Sequence, residues 1–290
     1  MTVTSETTAR NDSRRLRLFY AEQSPTLYDQ TTHLTMPDYG LAHNSLCDLV
    51  YRHARQDGQD SALIVDIGCG TGAEAMRLLY KLPRARIIAV DRSDSMLRGL
   101  ERKLQEDPSL AKRCHLVAAD ALSDGFDLHE IMAGSPWEET VLDIAVSAFA
   151  LHHHGLKLKR KLYEKILVSL RPHGVFLNLD IQGFQAKSLN SMAQAVTEEW
   201  IRESFEKLAA TDAAAISSAG VAAEELGAEW IAHVSEQNLP LPIEPPAWAS
   251  SVGNTSVDFE GEADTIRRIG FSEVACPYRM YQTAILWARR

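Results

Sequence analysis

The sequence predicts an α/β protein built on a mostly parallel sheet whose last strand is antiparallel. From Ser61 onward, short apolar runs alternate with segments of helical periodicity, which is typical of parallel strands joined by helices. Near the C-terminal end, two apolar runs are separated by too few residues for a crossover connection. These two runs must therefore pair as an antiparallel hairpin.

Seven strands are expected at the apolar runs. The helices between them show leucines at three- and four-residue spacing and end at Pro83, before Pro108 and at Pro172, because proline cannot continue a helix. The predicted strands are 62–67, 86–90, 114–119, 141–149, 174–180, 272–278 and 283–289.

Two segments lie outside this alternation and divide the chain into four parts. Residues 1–60 form a helical N-terminal segment, 61–180 and 263–290 form the core, and 181–262 are a helical insertion after strand five. Two apolar helical faces are predicted in the insertion, one with Leu189, Met192, Val196, Trp200 and Leu208, the other with Leu226, Trp230 and Val234. Because the carboxyl ends of parallel strands border the binding crevice, we interpret the N-terminal segment and the insertion as a lid.

Composition and charge narrow the classes of partner. The net charge of −9 and the pI near 5.6 disfavour nucleic acid and favour a small-molecule substrate. The first residues carry no apolar run and no later run reaches transmembrane length, so we expect a cytoplasmic protein without a membrane partner. The four cysteines lack CxxC spacing, which predicts reduced thiols and no metal site.

The segment GCGTGA, residues 68–73, follows the first strand and fits the GxGxxG/A pattern of dinucleotide sites. A dehydrogenase must therefore be considered, but three carboxylates favour another ligand. Asp66 suits an ammonium group better than a diphosphate, Asp91 can accept both hydroxyls of a ribose, and Asp120 can accept an adenine amine. An amino acid, a ribose and an adenine together describe S-adenosylmethionine (SAM).

The chain resembles the class I SAM-dependent methyltransferases, in which a Rossmann-like seven-stranded sheet binds SAM. The matching segments are VDIGCGTG (65–72), VDRSDSML (90–97), AAD (118–120), DIAVSAFALHH (143–153) and LRPHGVFLNLD (170–180). The order and spacing agree with the family. His173 departs from it, because the family usually has glycine in this turn.

The resemblance implies which residues hold the cofactor. It places Gly68, Gly70 and Gly72 along the methionine part, Asp91 on the ribose, Met96 against the adenine and Asp120 on its amine. Asp66, Cys69, Arg92, Ala121 and Ser147 lie in or beside the same motifs and are also expected to contact SAM, or its product S-adenosylhomocysteine (SAH). The alternatives are that Asp91 only caps a helix and that Met96 only packs in the core.

Candidate catalytic residues are His152 and His153, in the LHHH segment that follows strand four. Histidine has the pKa that a general base needs near neutral pH. The alternative is that these histidines only pack near the cofactor, as they often do in the resembling family. Three consecutive histidines do not predict a metal site, since neighbouring side chains diverge.

Aromatic residues outside the core are candidates for framing the ligands. Tyr28 belongs to a YD pair that, by resemblance to small-molecule methyltransferases, closes on the cofactor. Tyr39 and Trp200 lie in the accessory segments and are expected to contact the substrate. Aromatic rings close to the sulfonium of SAM also stabilise its positive charge. Arg202 is a candidate for an acidic substrate or faces water.

We therefore expect a SAM-dependent methyltransferase that acts at oxygen or nitrogen of a small molecule. A role in natural-product metabolism is suggested by the resemblance alone. Two alternatives remain open: a tRNA-modifying (carboxy)methyltransferase, from the segment YDQTTHLTMPDYG (28–40), and a non-catalytic SAM-binding protein. The sequence identifies neither the acceptor nor the oligomeric state.

Overall fold

The computed structural model describes residues 25–34, 36–56, 61–137, 141–211 and 257–290. Within these ranges, no helix combines the length and the apolar character that a membrane span requires.

A seven-stranded sheet forms the centre of the molecule. Its strands are β1 (Leu63–Ile67), β2 (Arg86–Asp91), β3 (Cys114–Ala118), β4 (Leu142–Ala148), β5 (Leu170–Ile181), β6 (Glu273–Met280) and β7 (Thr283–Arg289). The strand order is β3-β2-β1-β4-β5-β7-β6, with β1 to β5 parallel and β7 antiparallel to both of its neighbours. The predicted fold class is confirmed, including the C-terminal hairpin.

The described helices pack on both faces of this sheet or extend beyond it. They are α1 (Pro25–Thr31), α2 (Tyr39–Gln56), α3 (Ala73–Lys81), α4 (Asp94–Gln105), α5 (Pro108–Ala111), α6 (Leu128–Ala133), α7 (Leu156–Ser169), α8 (Lys187–Thr211) and α9 (Phe259–Ile269). A 3-10 turn, Thr32–Leu34, lies between α1 and α2.

Two hydrophobic layers hold the helices on the sheet because alternate residues of each strand point to opposite faces. In β1, Ile64 joins the layer that contains Leu46 of α2 and Leu78 of α3. Val65 joins the opposite layer, which contains Ile166 of α7 and other residues of α6, α7 and α9. Strands buried on both faces read as continuous apolar runs, and this explains why they are recognisable in the sequence.

The start of β5 differs from the prediction. The segment before Gly174 was expected to be a turn, but β5 already begins at Leu170. An irregular pairing between β4 and β5 accommodates it, and His173 adopts a positive φ of 65°. Arg171 forms an ion pair with Asp143 of β4, at 2.6 Å from Nε to Oδ1, and this contact holds the irregular stretch against the sheet.

Helix α8 also buries a different face from the predicted one. Met192 and Trp200 are 65% and 42% exposed, whereas Ala193 and Ile201 are buried. The helix contacts the short 3-10 turn of the N-terminal segment. Because this turn is short, it covers only a narrow stripe of the α8 surface. The Leu208 side chain and the second predicted face, Leu226, Trp230 and Val234, lie outside the described residues.

Candidate functional site

A cleft lies at the carboxyl ends of β1 to β4, and we call it the strand-end cleft. Residues 67–71, 91–93, 119–122 and 148–151 line it, together with residues of α2, α3 and α4 and of the N-terminal segment. Ligands of open parallel sheets bind at this edge, since the loops that follow each strand converge there.

The glycine loop between β1 and α3 forms the floor of the cleft. Gly68 and Gly70 adopt φ values of 69° and 53°, which L-residues with a side chain rarely do. A Cβ at Gly68 would lie 2.3 Å from the Ala150 Cβ, whereas a Cβ at Gly70 would meet open space. Gly70 therefore presents bare backbone to a ligand. Gly72 caps α3 and packs against Leu100, outside the cleft lining.

Asp91 ends β2 and organises this loop. Its Oδ2 accepts a hydrogen bond of 2.8 Å from the Gly70 amide, and its Oδ1 accepts one of 2.8 Å from the Ser93 amide. Burial raises the pKa of Asp91, although the two amide bonds oppose this effect. A carboxylate held in this way keeps further lone pairs for a ligand hydroxyl.

The next wall of the cleft comes from the ends of β2 and β3. Arg92, Met96, Asp120 and Ala121 all line the cleft. The Asp120 carboxylate accepts a 3.1 Å hydrogen bond from the Leu122 amide, which fixes its orientation. The predicted adenine contacts are therefore neighbours in space.

Besides Gly72, two further predicted cofactor residues lie behind the cleft and do not line it. Asp66 is fully buried, and burial, followed by the carboxylates of Glu74 and Asp91, raises its pKa well above the ordinary range. Ser147 donates a 2.8 Å hydrogen bond to the carbonyl of Ile67, which ties β4 to β1. Cys69, in contrast, is buried and forms part of the cleft lining.

The three histidines after β4 have different surroundings. His153 lines the cleft, while Nδ1 of His152 lies 2.7 Å from Oδ1 of the buried Asp180. Burial alone would raise the pKa of Asp180, but His152 and Lys159 hold it below its ordinary value. Burial, with the charge of Arg92, lowers the pKa of His154 to about 4, so this imidazole is neutral near pH 7.

The remaining wall of the cleft is aromatic. Tyr28, Tyr39 and Phe149 line it, and the rings of Tyr39 and Phe149 are stacked with centroids 6.1 Å apart. Burial raises the pKa of Tyr28 to about 12 and also raises that of Tyr39, so both phenols are neutral. An apolar, uncharged surface of this kind suits a flat organic ligand.

The predicted substrate contacts on α8 do not reach this wall. Trp200 and Arg202 are exposed, and neither lines the strand-end cleft. The Arg202 guanidinium lies 3.7 Å from Oε1 of Glu199 on the same helix. The structure thus brings Tyr28, Tyr39 and His153 together with the glycine loop, but not the two α8 residues.

Several residues that line or close the cleft were not among the sequence candidates. Glu74 and His43 line it as a buried pair, and Phe149 completes the aromatic wall. Asp29 lies outside the cleft lining and accepts a hydrogen bond from the Thr71 hydroxyl of the glycine loop. Glu74, in the first turn of the helix after the glycine loop, had a position that could have identified it, as had Asp29 in the YD pair and Phe149 in the segment DIAVSAFALHH.

The charges of the cleft fit a cationic nucleoside better than a dinucleotide. Glu74, Asp91 and Asp120 supply three carboxylates to its lining, against the single guanidinium of Arg92. Such a lining repels a diphosphate and attracts a sulfonium or an ammonium group. Among the described residues, no group of three or more His, Cys, Asp or Glu side chains is arranged to hold a metal ion.

This fold and this strand-end site agree with those expected of a class I methyltransferase domain. Residues 65–176 match the family model described as a methyltransferase domain. The match agrees with the predicted family over this segment, which is less than half of the chain.

A curated relative and two solved structures are similar to parts or most of the chain. The release factor glutamine methyltransferase of Chlorobaculum tepidum is 36% identical over 86 residues, which cover 27% of this chain and 29% of that protein. Magnesium protoporphyrin IX methyltransferase of Synechocystis, with bound SAH, superposes with a TM-score of 0.55 at 13% identity, covering 96% and 99% of the two chains. An O-methyltransferase family protein of Burkholderia thailandensis gives a TM-score of 0.50 at 12% identity, covering 86% of this chain and 59% of that one. At these identities the structures show a shared fold.

Proposed function

We propose that this protein binds SAM and transfers its methyl group to oxygen or nitrogen of a small-molecule acceptor. The observation that carries the proposal is the convergence of bare backbone at Gly70 with the carboxylates of Asp91 and Asp120 in one cleft. The match of residues 65–176 to a methyltransferase domain supports it.

Each part of the cofactor has a residue of matching chemistry. Asp91 accepts the ribose hydroxyls, Asp120 accepts the adenine amine, and Met96 packs against the adenine ring. The backbone of the glycine loop lies along the methionine part of SAM. When bound, SAM supplies an electrophilic methyl group on a positively charged sulfur, and the aromatic rings of Tyr28 and Tyr39 stabilise a cation nearby.

The aromatic wall supports a small and largely apolar acceptor. Tyr39 and Phe149 form a flat surface, and the uncharged phenol of Tyr28 adds a hydrogen-bonding group without a charge. Holding an acceptor in line with the methyl group can by itself supply effective molarities of about 10⁵–10⁸ M. His153 is a candidate for contact with this acceptor, and the His152–Asp180 contact fixes the loop that carries it.

Other parts of the prediction keep the status of proposals. Trp200 and Arg202 would require α8 to approach the cleft before they could contact a substrate. A cytoplasmic location and a role in natural-product metabolism rest on the sequence alone. The net charge of −9 supports a small molecule over RNA as the acceptor.

A transfer experiment with labelled SAM tests the proposal. The full chain is incubated with [methyl-³H]SAM and, separately, with a protein-free metabolite extract or with total tRNA. We expect tritium in the small-molecule fraction and little in the RNA, with the label lost in Asp91→Ala. Label in the RNA alone would favour the tRNA-modifying alternative, and SAM binding without any transfer would favour a binding protein.

A further inference from the structure

A buried histidine–glutamate pair lies in the lining of the strand-end cleft, apart from the histidines that follow β4. His43 comes from α2 and Glu74 from the first turn of α3, and their side chains form a hydrogen bond from Nδ1 to Oε1. The two residues are only 2% and 3% exposed, yet both belong to the cleft lining. A polar pair buried at a ligand site needs a chemical explanation.

The hydrogen bond determines what the other imidazole nitrogen can do. An ionised carboxylate can only accept hydrogen bonds. In a neutral His43 the ring proton is therefore on Nδ1, which donates the hydrogen bond to Glu74. Nε2 then has a free lone pair and is a proton acceptor. This Nε2 is buried and has no hydrogen-bond partner among the residues that the structure describes. Leaving a buried polar atom unpaired costs about 1–3 kcal/mol, which a ligand group at this point would offset.

Aromatic neighbours hold the imidazole in place. The ring of Tyr39 packs against it with centroids 4.1 Å apart, and the ring of Phe149 lies 5.4 Å away on the same wall. The imidazole of His43 thus belongs to the aromatic wall that suits the acceptor. An imidazole oriented by a carboxylate in this way has the arrangement of a general base.

We propose that His43 is the catalytic base for the acceptor and that Glu74 is its positioning residue. This inference rests on the proposed function and adds that the acceptor carries an ionisable O–H or N–H. Nε2 takes that proton as the acceptor atom forms its bond to the methyl carbon. The sulfur keeps the electron pair of the bond that breaks.

The histidines after β4 are the competing candidates. His152 is held by Asp180 and does not line the cleft, whereas His153 does line it. The experiment must therefore compare His43 with His153. It must also distinguish a general base from a residue that only binds the cofactor, since the proposed function places SAM and the acceptor in the same cleft.

Matched variants and two independent readouts make this comparison. The variants are His43→Gln, His43→Ala, Glu74→Gln, Glu74→Asp and His153→Gln. The control is Asp48→Asn, which removes a different contact between α2 and α3, the exposed ion pair of Asp48 with Lys81. SAH affinity is measured by calorimetry, and kcat and KM are measured by tritium transfer to the acceptor fraction labelled by the wild-type protein.

We expect His43→Gln and Glu74→Gln to lower kcat by about 100-fold or more, the usual contribution of a general base. In His43→Gln, SAH affinity and KM should stay within about threefold (under roughly 1 kcal/mol). In Glu74→Gln, which also removes a carboxylate from the cleft lining, the loss of kcat should exceed the loss of SAH affinity. Glu74→Asp should restore part of the rate, and added imidazole should restore part of the rate of His43→Ala. In ¹⁵N spectra of the wild-type protein, Nδ1 of His43 should carry the proton and Nε2 should not.

Four outcomes would overturn the assignment. They are an unchanged kcat in His43→Gln, a loss confined to His153→Gln, a loss of SAH affinity in place of rate, and the opposite imidazole tautomer. If a variant fails to fold, imidazole rescue and the ¹⁵N spectra decide the question. A wild-type protein that transfers no methyl group would refute the proposed function itself, which a defect confined to the variants would not.

Discussion

The Asp29 carboxylate joins the N-terminal segment to the glycine loop through Thr71. The Thr71 hydroxyl donates a 2.5 Å hydrogen bond to Oδ1 of Asp29, and Lys103 of α4 lies 2.6 Å from Oδ2. Pro25, at the start of the same short helix, packs so closely on Gly99 that a Cβ there would lie 2.7 Å away. Helix α1 has seven residues and is too short to be stable by itself, so it depends on these contacts.

Asp29→Ala is therefore expected to loosen the segment that carries Tyr28 into the cleft. We expect the affinity for SAH to fall by about fivefold to tenfold, near 1 kcal/mol, mainly through faster dissociation. Stopped-flow measurement of SAH release checks this. Asp48→Ala, which breaks an exposed ion pair of α2, is the control, and equal release rates in the two variants would refute the role of Asp29.

Asp91→Ala should weaken SAM binding more than tenfold, or about 1.4 kcal/mol. The change removes the proposed acceptor of the ribose hydroxyls and also releases the Gly70 amide. Calorimetry with SAM measures the effect. Asp94→Ala, an exposed carboxylate at the start of α4, is the matched control. An affinity within about threefold of the wild type would show that the ribose assignment is wrong.

Two glycines of the loop should respond differently to alanine. In Gly68→Ala the new methyl group clashes with Ala150, so the end of β4 must move. We expect a loss of about 2–4 kcal/mol in the free energy of unfolding. In Gly70→Ala only the left-handed backbone is strained, which costs about 1–2 kcal/mol, but the methyl group enters the cleft.

Urea unfolding and SAH calorimetry on both variants separate the two effects. Gly70→Ala should lose more affinity than stability, and Gly68→Ala should lose more stability. If the two variants lose stability equally, the open space above Gly70 does not exist in solution.

The fold could be predicted from the sequence because the patterns that indicate its strands and its hairpin are local. β1 and β2 are buried on both faces and read as uninterrupted apolar runs, and the hairpin follows from chain spacing. The face of α8 was mispredicted because apolar residues at helical spacing do not reveal which side another element covers. Met192 faces outward and Ile201 is buried, and the difference depends on contacts with the N-terminal segment.

The same limit applies to the site. Asp91 and Gly70 could be proposed because Asp91 ends β2 and Gly70 lies in the loop after β1, so neighbouring residues set the position of each. The pair His43–Glu74 joins residues 31 positions apart, and Asp29–Thr71 joins residues 42 apart. Only the packing of α1 and α2 onto the core brings these partners together. The YD pair indicated that Tyr28 approaches the cofactor, but not that Asp29 contacts Thr71.

Asp66 gives the protein a stability that depends on pH. Burial, together with the nearby carboxylates of Glu74 and Asp91, raises its pKa well above the ordinary value of 3.8. For a carboxyl group with a raised folded-state pKa, the stabilising contribution is complete below pH 3.8 and is lost as pH rises through the folded-state pKa. Asp66→Asn keeps the shape of the side chain but does not titrate.

The unfolding free energy of Asp66→Asn, relative to the wild type, should therefore increase from pH 4 to pH 8. We expect the variant to be more stable by about 1 kcal/mol or more at pH 8, the scale on which burying a charge is unfavourable. Urea unfolding of both proteins across this range measures the difference. Asp94→Asn, at an exposed position, is the matched control. Parallel pH profiles for Asp66→Asn and the wild type would mean that Asp66 is ionised at little cost, and that the carboxylates around it are solvated or paired in a way this structure does not have.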